Sequence, residues 1–187
     1  TLKYTVIRNE TFPFLLKNIT NEFGGLTYLY YSPSTIFNNT GNDSLSDIGF
    51  NVWVIRTALA DNGINGTFNI KANTSYNYLS GKYDYVDSEF RGFNIVNESF
   101  STDNTTITHY FHQNKELKGK EFKTEIYDKN GNIFSKAENN YNITYKNNNQ
   151  YFLTQLKSIS SYLFDGINNN PKTTNISYKY DNYSNVI

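Results

Sequence analysis

The chain contains no cysteine and no methionine. Without a thiol it has no disulfide, no cysteine nucleophile and no cysteine-based zinc site. Without an initiating methionine, it is expected to be a processed or excised piece of a longer product. Neither sign of charge is in excess, because 17 Lys plus Arg face 17 Asp plus Glu. That balance excludes the cationic surplus on which nucleic-acid and polybasic membrane binding rest. Apolar runs are a handful of residues long, too short for a membrane-spanning helix, and none follows a basic stretch as in a signal peptide. What is present is aromatic and polar. Tyr (17) and Phe (14) are abundant while charged residues make up only 18% of the 187, the reverse of a disordered composition. About one residue in six is Asn, which suits turns and solvated sheet faces, although an AT-rich genome gives the same bias.

The hydrophobic pattern has period 2, the signature of strands. Tyr28 and Tyr30 share one face against Thr27 and Leu29, and Tyr76 and Tyr78 repeat the device. Thr67, Asn69 and Lys71 alternate with Phe68, Ile70 and Ala72, and Phe90, Gly92 and Asn94 with Arg91, Phe93 and Ile95. Residues 121–127, 132–145 and 174–180 read the same way, and the ambiguous stretch 151–164 is read as strand. The continuous apolar run at residues 50–60 fits a strand covered on both faces or a short helix. Turn signals separate these runs: Gly24-Gly25, Asp61-Asn62-Gly63, Asn65-Gly66 and Asp128-Lys129-Asn130-Gly131, where Gly or Asn supplies the positive φ a hairpin needs. The expectation is an all-β fold of roughly ten to twelve short strands, mostly antiparallel hairpins in a curved sheet or a sandwich.

Few residues carry chemistry. His109 and His112 are the only histidines; three apart on a strand they point to opposite faces and hold no common metal. Asp84, Asp87 and Glu89 form the densest carboxylate group. They fit a calcium site or a paired-carboxylate glycosidase, but lack the close Asp/Asn spacing and central Gly of a calcium loop. Arg91 makes a structural turn the favoured reading. Lys118-Gly119-Lys120 lacks the second Gly and the Ser or Thr of a phosphate loop, and is read as a turn. Aromatic stripes such as Tyr76/Tyr78 suit sugar stacking in an adhesin, and more often serve cross-strand packing. No catalytic centre, cofactor site or metal site is expected. Asn-x-Ser/Thr sequons begin at Asn9, Asn18, Asn38, Asn42, Asn65, Asn73, Asn97, Asn104, Asn142, Asn175 and Asn182. They are about double what the composition alone generates, a mild enrichment in candidate N-glycosylation acceptors.

Four ordered stretches carry a family likeness. The first runs Leu15-Leu16, Ile19-Thr20-Asn21, Gly24-Gly25, Thr27, Tyr30 and Pro33-Ser34, and the second is Val52-Trp53-Val54 followed by Asp61-Asn62-Gly63. The third and most diagnostic is Tyr76-Asn77-Tyr78, Gly81-Lys82-Tyr83-Asp84 and Asp87-Ser88-Glu89-Phe90-Arg91-Gly92-Phe93, leading to Tyr110-Phe111-His112-Gln113 and Leu117-Lys118-Gly119-Lys120. The fourth, Tyr127-Asp128-Lys129-Asn130-Gly131-Asn132-Ile133, matches a YD repeat, and Tyr180-Asp181 begins a second unit with Ser184 where Gly is usual. Together they resemble the segment of SpvB-like and Tc-toxin B-component proteins that lies between a β-propeller-like region and the Rhs/YD-repeat array.

The resemblance implies a non-enzymatic stretch of β-sheet wall in a hollow shell that encloses a toxic polypeptide, in a secreted or surface-displayed protein. Residues 1–120 would be the pre-repeat region and 121–187 the first YD-like hairpins. Glu89, Phe90, Arg91, Gly92, Phe93, Tyr127, Asp128, Gly131, Tyr180 and Asp181 would be structural. The partners implied are the rest of the same polypeptide, its cargo and, through sheet edges, other copies. A competing reading is an adhesin or strand-exchanged filament subunit that inserts Leu2-Lys3-Tyr4-Thr5-Val6-Ile7 into a neighbour. A third is a carbohydrate-active enzyme using Asp84, Asp87 or Glu89.

Overall fold

Alternation at every second residue becomes strand after strand in the computed structural model, which describes residues 3–7, 14–41, 45–64, 66–148, 150–164 and 170–187. The order is β1 (Lys3–Ile7), β2 (Leu15–Thr20), β3 (Leu26–Pro33), β4 (Trp53–Asp61), β5 (Lys71–Asp84), β6 (Glu89–Phe100), β7 (Thr106–Phe111), β8 (Glu121–Tyr127), β9 (Ile133–Lys146), β10 (Tyr151–Leu163) and β11 (Lys172–Ser177). All eleven lie in one sheet whose spatial order is the sequence order. Each strand pairs antiparallel with the next. The fold is all-β, and of the two expected forms it is the single sheet. No second sheet is present among the described residues.

Several strands are longer than expected, with 14 residues in β5 and β9, 12 in β6 and 13 in β10. The run at residues 50–60 becomes β4, a strand and not a helix. Two alternations become strand only in part. Gly66–Phe68 is a 3-10 turn and β5 starts only at Lys71. Asn62 Nδ2 donates to Phe68 O at 2.7 Å and Asn69 Nδ2 to Ile64 O at 2.9 Å, so side-chain amides hold this backbone in a loop. At the other end β11 stops at Ser177, and Tyr180 makes only an isolated bridge to Val186.

The two faces differ in chemistry. On one, a cross-strand row runs Tyr78, Val96, His109, Thr124, Ala137, Ser161, Thr174. On the other, the adjacent row is Asn77, Asn97, Thr108, Glu125, Lys136, Tyr162, Thr173. This second face carries an ionic and aromatic ladder. Glu125 accepts from Tyr110 at 2.8 Å, Tyr127 at 2.9 Å and Lys123 at 3.1 Å, and Lys123 Nζ sits 3.8 Å from the Tyr110 ring centre. Farther along, Lys136 pairs with Glu138 at 2.7 Å and lies over the Tyr162 ring. Of these contacts Tyr110–Glu125, Lys123–Tyr110 and Lys136–Tyr162 cross between strands, and cross-strand pairs are the unit of sheet stabilisation. Burial, aided by the Glu125 carboxylate, pushes the Tyr110 and Tyr127 hydroxyls up to about 12.

A single sheet layer buries little. Ile48 and Leu117 are the buried apolar side chains among the described residues, and both come from loops. The first loop, described over residues 34–41 and 45–52, is a strap clipped at its base by Ser34 N to Val52 O (2.7 Å) and Val52 N to Ser34 Oγ (3.0 Å). It lies against β5 through Ser80 N to Asn38 O (2.8 Å) and Tyr83 N to Asp47 O (2.9 Å). Gly81 makes this approach possible, since a Cβ there would fall 2.2 Å from Ile48 Cδ1. Edge-to-face contacts of Phe37 with Tyr78 and of Phe50 with Tyr83 and Phe90 fasten it to the face that carries Tyr78, each worth about 0.5–1.5 kcal/mol beyond area burial.

Candidate functional site

The diagnostic stretch lies at the hairpin that joins β5 to β6. Asp84 begins the turn, its Oδ1 accepting from Val86 N at 2.9 Å and Asp87 N at 3.1 Å, as short acidic side chains do in turns. Returning along β6, Phe90 pairs with Tyr83 and Gly92 with Lys82, which leaves Arg91 as the extra residue of a β-bulge. Gly92 takes φ +82° there, a conformation that side-chain-bearing residues rarely adopt. The bulge corrects the simple alternation, which put Phe90 and Phe93 on opposite faces. Their rings are in contact at 5.6 Å, and Phe93 also meets Tyr78 at 4.9 Å.

The same bulge buries the Arg91 guanidinium among carboxylates, with 1% of its side chain exposed. Nη1 lies 2.5 Å from Glu89 Oε2, and Nη2 bonds Asp84 at 3.2 Å and Asp87. The loop at residues 112–120 supplies two further cations: Lys115 Nζ bonds Asp87 Oδ1 at 2.9 Å and Lys118 bonds Glu89. Three carboxylates thus meet three cations. Backbone donation from Asp87 lowers the pKa of Asp84, Lys115 lowers that of Asp87, and Lys118 lowers that of Glu89. Burial opposes the Arg91 charge, but Asp84, Glu89 and Asp87 outweigh it and hold the guanidinium above its usual value. Gln113 Nε2 completes the junction by donating to Ser80 O at 2.7 Å and Gly92 O at 2.8 Å. Every carboxylate here is committed to a cation or a turn amide, so the cluster is a structural node.

Three turns share one design. In Asp128–Asn132, Asp128 Oδ1 accepts from the backbone of Asn130 and Asn132, both at 2.8 Å, while Gly131 N donates to Asp128 O at 3.0 Å. In Asp181–Asn185, Asp181 Oδ1 accepts from Tyr183 N (2.8 Å) and Asn185 N (2.9 Å), and Ser184 N donates to Asp181 O at 3.1 Å. Residue four of each turn has positive φ, +80° at Gly131 and +70° at Ser184, so Ser184 takes the glycine conformation. The third copy, Asn21–Gly25, was legible only as a Gly-Gly signal. Asn21 Oδ1 accepts from Phe23 N and Gly25 N, and Gly24 has φ +86°. The shared signal is Asn or Asp three residues before Gly or Ser. Ahead of two of these turns, Tyr127 bonds Glu125, and Tyr180 donates to Leu156 O at 2.8 Å.

The histidines have separate surroundings. His109 Nδ1 lies 2.6 Å from Glu121 Oε1 and Nε2 lies 3.6 Å from Glu98, which also accepts from Tyr76 at 2.9 Å. His112 packs against Phe122 and Tyr141, and burial lowers its pKa. Gly119 adopts φ +72° in the turn expected around Lys118-Gly119-Lys120. Among the described residues no trio of His, Asp or Glu is arranged to hold a metal, and no helix is long and apolar enough to cross a membrane. Asn104 and Asn182 lie in exposed turns, Asn38 in the strap, and Asn18, Asn73, Asn97, Asn142 and Asn175 within strands. Asn9, Asn42 and Asn65 lie outside the described residues.

Residues 1–119 match the family described as the insecticide toxin TcdB middle/N-terminal region. A sequence comparison with curated proteins returned no match. Among solved structures, the crystal structure of TcdB2-TccC3 without its hypervariable C-terminal region superposes with a TM-score of 0.75 at 15% identity over 93% of this chain. A Photorhabdus luminescens Tc holotoxin pore gives 0.76 at 14% identity over 92%. The chain spans only 12% and 11% of those two solved chains. At such identities the likeness is one of fold.

Proposed function

The chain belongs to the family of the insecticide toxin TcdB middle/N-terminal region, and from that premise we propose that it is a non-catalytic stretch of wall in a large secreted toxin protein. The wall encloses a toxic cargo, and its partners are the remainder of the same polypeptide and that cargo. Residues 1–120 form the pre-repeat part and 121–187 the first YD-like hairpins. The observation that carries this reading is the single-layer meander. Among the described residues, eleven strands with two buried apolar side chains leave both faces and both outer edges to be completed by other structure. A wall needs that continuity and no cleft. The Arg91 node and the Asx-capped turns hold the hairpins in register, which is the mechanical requirement of containment.

Intact mass and peptide mapping of the protein from its source cells tests the reading. The expected result is a polypeptide several times longer than this chain, with further Tyr-Asp hairpins beyond Ile187 and a C-terminal portion shielded from protease until the particle is opened. A native species of about this length overturns it, because so few strands enclose nothing. The fully exposed β11 would then favour a filament or adhesin. In that case the joining surface is a sheet edge, β11 or β1 (Lys3–Ile7), each of which pairs on one side only.

A further inference from the structure

We propose that Asn130 is a site of spontaneous covalent modification, at which water replaces the side-chain amide and leaves an isoaspartyl or aspartyl residue. The sequence holds three Asn-Gly pairs, Asn62-Gly63, Asn65-Gly66 and Asn130-Gly131. Glycine has no Cβ to keep its backbone nitrogen away from the preceding side chain, so the nitrogen can reach the asparagine carbonyl carbon. Asn65 lies outside the described residues. The other two are held very differently. Asn62 is clamped at both ends of its carboxamide, Nδ2 donating to Phe68 O at 2.7 Å and Oδ1 accepting from Ile64 N at 3.1 Å. Gly63 is wedged as well, since a Cβ built there would fall 2.1 Å from Gly24 O. Turning the Asn62 side chain towards Gly63 N breaks both bonds inside a crowded loop.

Asn130 is exposed in the turn that joins β8 to β9. Among the described residues its carboxamide makes a single long contact, Nδ2 to Asp128 Oδ2 at 3.5 Å. The space beside Gly131 is open, with nothing within 4 Å of a Cβ built on it. The tie on the reacting nitrogen is Gly131 N to Asp128 O at 3.0 Å, a bond in an exposed turn that opens locally while the flanking strands stay paired. The step balances with water alone. Gly131 N gives up its proton to solvent as it bonds to Asn130 Cγ, the Cγ–Nδ2 bond breaks, and ammonia leaves a five-membered succinimide. Water then adds to one of the two ring carbonyls and cleaves its bond to nitrogen. Cleavage at the backbone carbonyl routes the main chain through the side chain and lengthens the turn by one methylene. Either product sets a second carboxylate beside Asp128, whose own carboxyl is held below the usual range by hydrogen bonds from Asn132. Two like charges in one short turn repel, so the modified hairpin is looser than the original.

Ageing of the native, full-length protein at mildly alkaline pH tests this, with a parallel sample kept unfolded in urea. Samples drawn over days are digested, and the peptides containing Asn62 and Asn130 are read by mass spectrometry. Isoaspartate is counted separately with the methyltransferase that recognises it. In the folded protein Asn130 is expected to convert at least several-fold faster than Asn62, whereas in urea the two rates converge because the clamps on Asn62 are gone. Conversion of Asn62 as fast as Asn130 in the folded protein overturns the proposal, since the two environments would then make no difference. An intact Asn130 in the folded protein, beside ready conversion in urea, also overturns it, because the turn itself would then protect the site.

Discussion

Arg91 is buried by a one-residue bulge, and its charge is tolerable there because three carboxylates converge on it. R91A leaves Asp84, Asp87 and Glu89 crowded without their shared cation, so a clear fall in Tm is expected; an unchanged Tm would remove the node as a determinant of stability. Acid provides a second check. Asp84, Asp87 and Glu89 titrate below their ordinary values in the folded chain. The unfolded chain therefore binds more protons in the interval between. This stability is fully present above about pH 5 and is lost as pH falls through the folded values. Thermal melts should show Tm dropping below that point, and a flat profile would contradict the assignment. Ser184 at φ +70° and Gly131 at +80° make an opposed pair. S184G should raise stability by about 0.5 kcal/mol, while G131V should cost about 1–2 kcal/mol or more, read by urea unfolding.

Hairpins and straps depend on close approaches that alternation does not encode. β8 spans the seven residues expected from the sequence, because Glu121–Tyr127 alternates without interruption. The Gly66–Phe68 turn was hidden, since Thr67 and Phe68 continue a strand-like pattern and only the amides of Asn62 and Asn69 divert the backbone. The bulge was hidden for a related reason. Arg91-Gly92 reads as two ordinary alternating positions until Gly92 adopts a positive φ and brings Phe90 and Phe93 together. The carboxylates and arginine of the node were visible as a group. The lysines that complete it lie 28 and 29 residues away and depend on how the 112–120 loop folds back. The strap offers a test at this scale. G81V drives a side chain into Ile48 and Asn39, so the strap should lift and become cleavable by protease, with about 1–3 kcal/mol lost. Unchanged cleavage would mean that the strap is held elsewhere.

Among the described residues the sheet ends in two margins, β1 and β11, each paired on one side only. Produced alone, the 187-residue chain is expected to self-associate as concentration rises, and I176K on the exposed β11 should suppress this in light scattering. A monomer at all concentrations would show that the margin is already blunted. The strictly sequential order of the strands has a consequence of another kind. Each strand needs only its immediate predecessor in order to form, so contacts are short in sequence and the chain can zip progressively as it emerges. The same geometry run backwards gives the mechanical response. Tension applied at one terminus loads the hydrogen bonds of a single outermost strand at a time. The sheet should therefore peel strand by strand at low force, with no single high-force rupture of the whole layer.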